Sequence, residues 1–138
     1  ELRPHTIRQT ELPLLIEQLT QGVAARMDVP FDTDVSVDGD LPGEVHVAAY
    51  RICQEAIANV AKHADASRIT VGAHGGPTYL HLTVTDDGVG FDETARQTGT
   101  IGLSTMAERA SSVGGTVQVV SQPGTGTVVS FEWERSDG

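Results

Sequence analysis

The sequence has 138 residues and a mass of 14.6 kDa, which suits one domain with a buried core. Hydrophobic residues make up 38% of the chain but aromatic residues only 4%, so we expect an aliphatic core and no stacking platform for single-stranded nucleic acid. The net charge of −10 disfavours nucleic acid and anionic membrane surfaces as partners. The sequence has no signal-peptide pattern and no apolar run of the roughly 20 residues that a membrane-spanning helix needs. The single cysteine, Cys53, cannot form an internal disulfide.

The N-terminal third predicts a lead-in, a helix and a strand. Residues 1–10 contain Pro4 and show no periodic pattern, and the sequence starts with Glu1 instead of Met, so we expect a piece of a longer protein whose preceding domain ends here. Apolar residues recur at helical spacing from Thr10 to Met27, and Thr10 is the expected N-cap. Alternation over Phe31–Val37 predicts a short strand.

The middle of the chain predicts a second helix and a hairpin. The helix is expected from about Pro42 to Ala64, with Pro42 in its first turn. Two alternating segments, 69–73 and 80–84, follow, and we expect Gly75-Gly76-Pro77 to form the turn between them. The stretch 88–100 is polar, contains glycines and has no period, which predicts a loop.

The C-terminal third predicts a third helix and two strands. The helix is expected over roughly Gly102–Val113 and ends at Gly114-Gly115, because glycine commonly terminates helices. Strands are expected over Thr116–Val120 and Thr127–Trp133. Three helices and about five strands, with helices on both sides of the hairpins in the sequence, indicate an α+β fold whose sheet is covered on one face by helices.

One face of the second helix carries polar side chains of an unusual mixture. At helical spacing Glu55, Asn59, Lys62 and His63 lie close together. The opposite side carries the residues expected in the core: Tyr50, Cys53, Ile57, Val60 and Ala64. Taken alone, such a face is more often solvated surface. Yet amide and carboxylate oxygens suit Mg²⁺, a cation offsets phosphate charge and a carboxylate can activate a nucleophile, which is what a metal-triphosphate site requires.

Three further features are individually weak but point to the same chemistry. Asp86 continues the apolar row of its strand, and Gly88 and Gly90 follow it, which allows a sharp turn and close approach of a flat ligand. Gly102 introduces the third helix, whose N-terminal amides favour phosphate. Thr127 heads the apolar row of the last strand. Taken alone, each feature is more often an ordinary turn or a locally satisfied side chain.

The order of these motifs resembles sensor histidine kinases of the wider superfamily of histidine kinase-like ATPases. Tyr50–Ala64 resembles their N-box, Asp86–Phe91 their first glycine box and Ile101–Arg109 their second. Gly114-Gly115 and Pro123–Thr127 complete the pattern, which covers nearly the whole chain from Leu12 onward. Within the family, the Gln-Glu-Ala of the N-box and the Met-x-Glu-Arg of the third helix are most similar to the subfamily that pairs with helix-turn-helix response regulators.

The resemblance implies a fold, a function and partners. The fold is a two-layer α/β sandwich, the Bergerat fold, with a mixed, mostly antiparallel sheet. Residues 11–138 would be the ATP-binding catalytic domain, and residues 1–10 would lead in from a dimerisation domain. The domain would bind Mg-ATP and transfer the γ-phosphoryl group to a histidine on that dimerisation domain, which then passes it to a response regulator with a helix-turn-helix output domain. We expect a cytoplasmic domain without direct membrane contact, in a parent protein whose membrane anchoring stays open.

The family also implies roles for the polar face of the second helix. Glu55 would polarise the acceptor histidine and is the expected catalytic residue. Asn59 would bind both Mg²⁺ and nucleotide, and Lys62 would contact phosphate. His63 matches the motif as a nucleotide-binding position, although its role can equally be structural.

For the adenine, the family implies a pocket at the end of the sheet. Asp86 would accept the adenine amino group, directly and through a water that Thr127 helps to hold. Gly88 and Gly90 would line the pocket.

The sequence departs from the family pattern in the second glycine box. Gly102 and Leu103 would close the lid onto the phosphates, but Thr100 occupies the position of the first glycine of that box. The lid, roughly Asp92–Ile101, is also short. These differences keep open a non-catalytic ATP-binding module as an alternative.

The acceptor histidine is missing from this sequence. The sequence has five histidines: His5, His46, His63, His74 and His81. None of them has the acidic flanking pattern of the residue that is phosphorylated in the family. A serine kinase or ATPase of the anti-sigma type therefore remains a second alternative, and an interaction domain that binds no nucleotide a third.

Overall fold

In the computed structural model, residues 2–90 and 103–136 are described. Within them the chain forms four α-helices, one π-helical turn and five strands. The helices are α1 (Pro4–Gln9), α2 (Leu12–Met27), α3 (Gly43–Asn59) and α4 (Leu103–Ser112), and the π-helical turn (Val60–Ala64) continues α3. The strands are β1 (Phe31–Val37), β2 (Ile69–Gly76), β3 (Tyr79–Asp86), β4 (Thr116–Gln122) and β5 (Gly126–Glu134). Across these two stretches of chain no helix combines the length and apolarity needed to span a bilayer.

The five strands form one open mixed sheet in the order β1-β2-β3-β5-β4. Only β1 and β2 are parallel, and α3 and the π-helical turn connect them, as a parallel pair requires. The pairs β2–β3, β3–β5 and β4–β5 are antiparallel. In this register Ile69, Asp86 and Thr127 lie side by side at one end of the sheet, and Leu80 and Trp133 lie at the other.

The sheet has one buried and one exposed face. Alternate residues of β2, β3 and β5 point to the helices and are buried, including Val71, Leu82 and Phe131. The other face is polar, and its His74 and His81 are exposed, as the alternation predicted. Within residues 2–90 and 103–136 the helices cover one face of the sheet, so the predicted two-layer α+β architecture with a mixed, mostly antiparallel sheet is confirmed.

The N-terminal residues differ from the prediction. Residues 4–9 form a helix where the sequence gave no periodic signal, and the side chain of Ile7 in it is 0% exposed and belongs to the common core. The prediction that Thr10 caps α2 was wrong. Thr10 is instead the C-cap of α1, and its hydroxyl donates to the Thr6 carbonyl oxygen at 2.9 Å. The N-cap of α2 is Glu11.

Two boundaries in the middle of the chain also differ from the prediction. The hairpin ladder runs through the pair Gly76–Tyr79, so the turn consists of Pro77 and Thr78, and both glycines that were expected in the turn belong to β2. The second helix changes to π-helical hydrogen bonding after Asn59 and ends at Asp65 in the left-handed conformation, with φ of 48°. Residues beyond Asn59 therefore do not follow α-helical spacing.

Candidate functional site

Asp86 is a buried carboxylate at the end of the sheet. It is the last residue of β3 and follows Leu82 and Val84 on the helix-covered face, as predicted, and it is only 5% exposed. The Gly88 N–H donates a hydrogen bond of 2.8 Å to Asp86 Oδ1. Burial raises the pKa of Asp86, the N–H of Gly88 lowers it, the adjacent Asp87 charge raises it and the N–H of Thr127 lowers it, with a net upward shift. The carboxylate is thus a hydrogen-bond acceptor that ends an apolar row of β3.

Thr127 lies beside Asp86 in the register of β3 and β5 and is 3% exposed. Its Oγ1 lies 2.8 Å from the hydroxyl oxygen of Ser121, which stands opposite it on β4. Ser121 Oγ also donates to the Gly126 carbonyl oxygen at 3.3 Å. Ser121 was not predicted as part of the site, although it continues the alternation of Val117 and Val119 on the same strand face.

The turn between β4 and β5 packs against the glycine turn after β3. The Gly124 N–H donates to the Val89 carbonyl oxygen at 2.7 Å. Gly126 has φ of +95°, and a Cβ atom at this position would overlap the carbonyl oxygen of Asp86. Only glycine combines this backbone conformation with so close an approach. Residues 123–127, the last motif of the resemblance, therefore support the backbone of the predicted adenine pocket.

Gly88 and Gly90, the two glycines predicted to line the adenine pocket, lie in the turn after β3. Gly88 is buried and donates to Asp86, whereas Gly90 is half-buried and has φ of +74°. A positive φ favours glycine at position 90, because most other residues adopt it only with strain.

The polar face of α3 lies at the same end of the molecule. Only nine residues connect Asn59 to Ile69, and Ile69 pairs with Asp86. Asn59 is 8% exposed, Glu55 is half-buried and Lys62 is exposed. The short connection thus places the C-terminal end of α3, which carries the predicted metal and catalytic positions, towards the end of the sheet where Asp86 lies.

Glu55 has charged neighbours from two elements. Burial raises the pKa of its carboxyl group, and the positive charges of Arg109 and Lys62 partly counteract that rise. Arg109 belongs to the last turn of α4 and was not predicted for the site. No local sequence signal could have found it, because its proximity to Glu55 arises from the packing of α3 against α4. The carboxylate with a raised pKa and the buried amide lie on α3, whereas one cation belongs to the π-helical turn and the other to α4.

Part of the predicted site lies outside the described structure. Gly102, Thr100 and the predicted lid at 92–101 belong to the stretch 91–102, which is not described. For His63 and Leu103 the backbone is described but the side chain is not. The predicted roles of these residues stay predictions.

Two open cavities occur at the other end of the sheet. One, of about 560 Å³, lies between the α1–α2 junction and the start of α3, next to Val37 and Gly39. The other, of about 690 Å³, lies between Leu80, Trp133 and the Gly114-Gly115 turn. Neither is lined by a predicted site residue, so the binding prediction rests on the polar side chains at the Asp86 end.

The donor set at Asn59 is compatible with Mg²⁺ but not with a cation held by protein alone. In residues 2–90 and 103–136 no group of three or more His, Cys, Asp or Glu side chains could hold a metal ion. Mg²⁺ commonly keeps several waters and takes one or two protein oxygens together with substrate phosphates. The buried amide of Asn59, one turn from the Glu55 carboxylate, fits that limited contribution.

Comparison with known proteins gives consistent matches. Residues 44–137 match the family model described as histidine kinase-, DNA gyrase B-, and HSP90-like ATPase. The chain is 33% identical over 131 residues to the sensor histidine kinase LiaS of Bacillus subtilis, covering 95% of this chain and 36% of that protein. It is 30% identical over 135 residues to the nitrate/nitrite sensor protein NarQ of Escherichia coli, covering 96% of this chain and 24% of that protein. The chain thus spans about a third or less of these two relatives.

Solved structures share the fold. The mycobacterial sensor histidine kinase MprB superposes with a TM-score of 0.66 at 20% identity, over 91% of this chain and 96% of that one. Full-length ShkA, solved in complex with AMPPNP, gives a TM-score of 0.67 at 20% identity, over 94% of this chain and 31% of that one. At these identities the likeness concerns the fold alone.

Proposed function

Because the chain belongs to the family of histidine kinase-, DNA gyrase B- and HSP90-like ATPases, which implies ATP binding, we propose that it is the catalytic domain of a sensor histidine kinase. In this proposal it binds Mg-ATP and transfers the γ-phosphoryl group to a histidine on a dimerisation domain of the same protein. The observation that carries the proposal is the buried Asp86 carboxylate, bonded to Gly88 and paired with Thr127, at the sheet end that adjoins the polar face of α3.

The hydrogen-bonding capacity of that sheet end supports the adenine position. An ionised Asp86 accepts hydrogen bonds only, so it suits an exocyclic amino group and repels a carbonyl oxygen. The apolar residues that surround it offer contact to a flat ring, and the glycine turn lets the ring approach the backbone. In the proposed pose the amino group donates to Asp86 directly and through a water held by Thr127, with Gly88 and Gly90 against the ring.

The phosphates would extend from this pocket towards α3. Lys62 supplies a positive charge there, and Asn59 would contribute an oxygen to Mg²⁺. Bound Mg²⁺ would neutralise charge on the phosphates as the phosphoryl group leaves ADP. His63, Gly102 and Leu103 are proposed to complete the phosphate side.

A base beside the acceptor histidine assists the transfer, and the proposal assigns this role to the half-buried Glu55. The imidazole nitrogen of the incoming histidine attacks the γ-phosphorus, so that a P–N bond forms and the bond to the ADP oxygen breaks. The Glu55 carboxylate accepts the proton from the other ring nitrogen, which makes the attacking nitrogen more nucleophilic. Its raised pKa, caused by burial, makes it a better base than a fully hydrated glutamate.

We also propose the partners and the setting that the sequence motifs suggest. The phosphoryl group would pass to a response regulator, and the N-box and the Met-x-Glu-Arg segment of α4 favour one with a helix-turn-helix output domain. The domain would work in the cytoplasm, where ATP is available, and residues 1–10 would connect it to the dimerisation domain.

The test is a transfer assay with a separately supplied, histidine-bearing dimerisation domain. Glu55→Gln should leave the affinity for ATP within about threefold of the wild type, while formation of phosphohistidine falls by about 100-fold or more. Glu44→Gln, in the exposed first turn of the same helix, is the matched control and should change neither quantity.

The other outcomes separate the competing functions. Undiminished phosphohistidine in Glu55→Gln would contradict the catalytic role of this residue. ATP binding without transfer by the wild type would favour a non-catalytic module, and phosphoserine on an added protein would favour the anti-sigma type of kinase. Absence of nucleotide binding would leave an interaction domain.

A further inference from the structure

Asp87 forms a hydrogen-bond cluster with Ser67 and Arg68, called here the Asp87 cluster. Its Oδ1 accepts from the N–H groups of Ser67 at 2.8 Å and Arg68 at 3.0 Å, and its Oδ2 accepts from the Ser67 hydroxyl at 2.6 Å. The Asp87 N–H donates in return to the Arg68 carbonyl oxygen at 3.4 Å. The Ser67 hydroxyl first, and then the backbone N–H groups, lower the pKa of Asp87. This carboxylate is exposed, yet its acceptor capacity is directed at one segment of chain.

The cluster joins two segments that the proposed function uses for different parts of the nucleotide. Ser67 and Arg68 lie between the π-helical turn, which carries Lys62, and the start of β2. Asp87 lies between Asp86 and Gly88, in the turn proposed to bind adenine. The regular β2–β3 ladder ends at the pair Ile69–Asp86, so beyond it the two segments are held together by the Asp87 cluster.

We propose that Asp87 is a positioning residue, which fixes the phosphate-binding end of α3 relative to the adenine turn through Ser67 and Arg68. The inference rests on the proposed function, because the proposed function assigns both segments to the binding of one nucleotide. A rigid spacing matters for such a ligand, because binding through two linked groups gains affinity only when both sites can be reached together.

The position of the cluster argues against a purely structural role. Its side chains are exposed, so that without Asp87 the N–H groups of Ser67 and Arg68 would bond to water, and the apolar core would remain covered. The Arg68 side chain has a separate partner, the Asp32 carboxylate at 3.5 Å on β1. That ion pair tethers Arg68 to the sheet but does not reach the adenine turn.

The experiment compares binding of AMPPNP and of adenosine, each by displacement of a fluorescent ATP analogue, in four variants of the chain. Asp87→Ala removes the cluster, and Ser67→Ala removes only its hydroxyl bond. Asp87→Asn keeps an oxygen for both N–H groups and an amide that can donate to the Ser67 hydroxyl oxygen. Asp32→Ala removes the ion pair to Arg68 and is the matched control.

We expect Asp87→Ala to weaken AMPPNP by about tenfold and adenosine by no more than about twofold, because Asp86 stays in the sheet while the phosphate side loses its placement. Asp87→Asn should restore AMPPNP binding to within about threefold of the wild type, and Asp32→Ala should match the wild type. Amide hydrogen exchange at Ser67 and Arg68 should accelerate in Asp87→Ala but not in Asp87→Asn, independently of any ligand.

If the wild type binds AMPPNP, the proposed function stands, and three results would then overturn the inference about Asp87 alone. These are unchanged AMPPNP affinity in Asp87→Ala, equal losses for AMPPNP and adenosine, and an Asp87→Asn variant as weak as Asp87→Ala. If the wild type binds neither ligand, the proposed function fails, and the inference that rests on it fails with it.

Discussion

The substitution Asp86→Asn is expected to separate nucleotide affinity from folding stability. Burial raises the pKa of Asp86 in the folded chain above its value in the unfolded chain, so the folded state binds a proton more readily. Asp86 therefore contributes its full stabilisation of the folded state below its unfolded-state pKa, where it is protonated. This stabilisation is lost as the pH rises through the folded-state pKa. At neutral pH the buried charge therefore costs stability, and the uncharged, isosteric asparagine removes that cost.

The effect on binding has the opposite sign. Asparagine Oδ1 can still accept from the Gly88 N–H, which turns the amide nitrogen, a donor, towards the ligand. An amino group at that position then loses a hydrogen bond to a charged acceptor, which contributes about 1.5–3 kcal/mol. This corresponds to an increase of about 10- to 150-fold in the dissociation constant for ATP.

The measurement combines calorimetry with ATP and with GTP and thermal unfolding at neutral pH. We expect a large loss for ATP, a much smaller one for GTP and a Tm that is equal to or above that of the wild type. Asp34→Asn, on the exposed face of the same sheet, is the control and should affect neither ligand. Equal losses for ATP and GTP would refute the adenine role, and a clear drop in Tm would refute the reasoning about the buried charge.

Three further substitutions or probes test the structure around the site. Gly126→Ala should lower Tm and weaken ATP binding, because left-handed strain of roughly 1–3 kcal/mol adds to an overlap with the Asp86 backbone at the end of β3. Gly124→Ala, at φ of +86° and with open space around the new Cβ atom, should show the strain alone. Ile7→Ala should reduce the free energy of unfolding in urea by about 2–5 kcal/mol, and Leu14→Ala, at a half-exposed position, should change it little; equal effects would place α1 outside the core. Burial raises the pKa of Cys53 to about 12, so a thiol reagent should react only as the protein unfolds, and fast labelling of the native chain would contradict its burial.

The two polar positions at the sheet end could be predicted because a strand has a strict period of two. Asp86 continues the row of Leu82 and Val84, and Thr127 precedes Val129 in its row, so the faces of both residues followed from the sequence. The structure adds that these two residues are neighbours across β3 and β5. Strand order is not encoded in any local pattern, and it is what brings these two polar residues together at one end of the sheet.

The parts that could not be predicted depend on contacts between distant segments. Ser121 and Arg109 approach Thr127 and Glu55 only through strand register and helix packing. Helix α1 has six residues, too few to show a period and too few to be stable alone, and burial of Ile7 against the rest of the core accounts for it. Helix α1 therefore depends on its packing against α3. Arg51 of α3 also donates a hydrogen bond of 2.6 Å to the carbonyl oxygen of Leu2, just before α1.

The net charge of −10 disfavours some anionic partners but not a single nucleotide. Nucleic acid needs cations along an extended surface, because its affinity grows with the number of phosphates neutralised. A triphosphate at the end of α3, as proposed, would be affected mainly by nearby groups, of which Lys62 and Arg109 are positive and Glu55 is negative. The outer-face carboxylates Asp34 and Glu132 are separated from the helix layer by the sheet, and at physiological salt charges beyond about 8 Å are largely screened. We therefore expect the groups beside a bound triphosphate, together with its Mg²⁺, to matter more for its binding than the net charge of the chain.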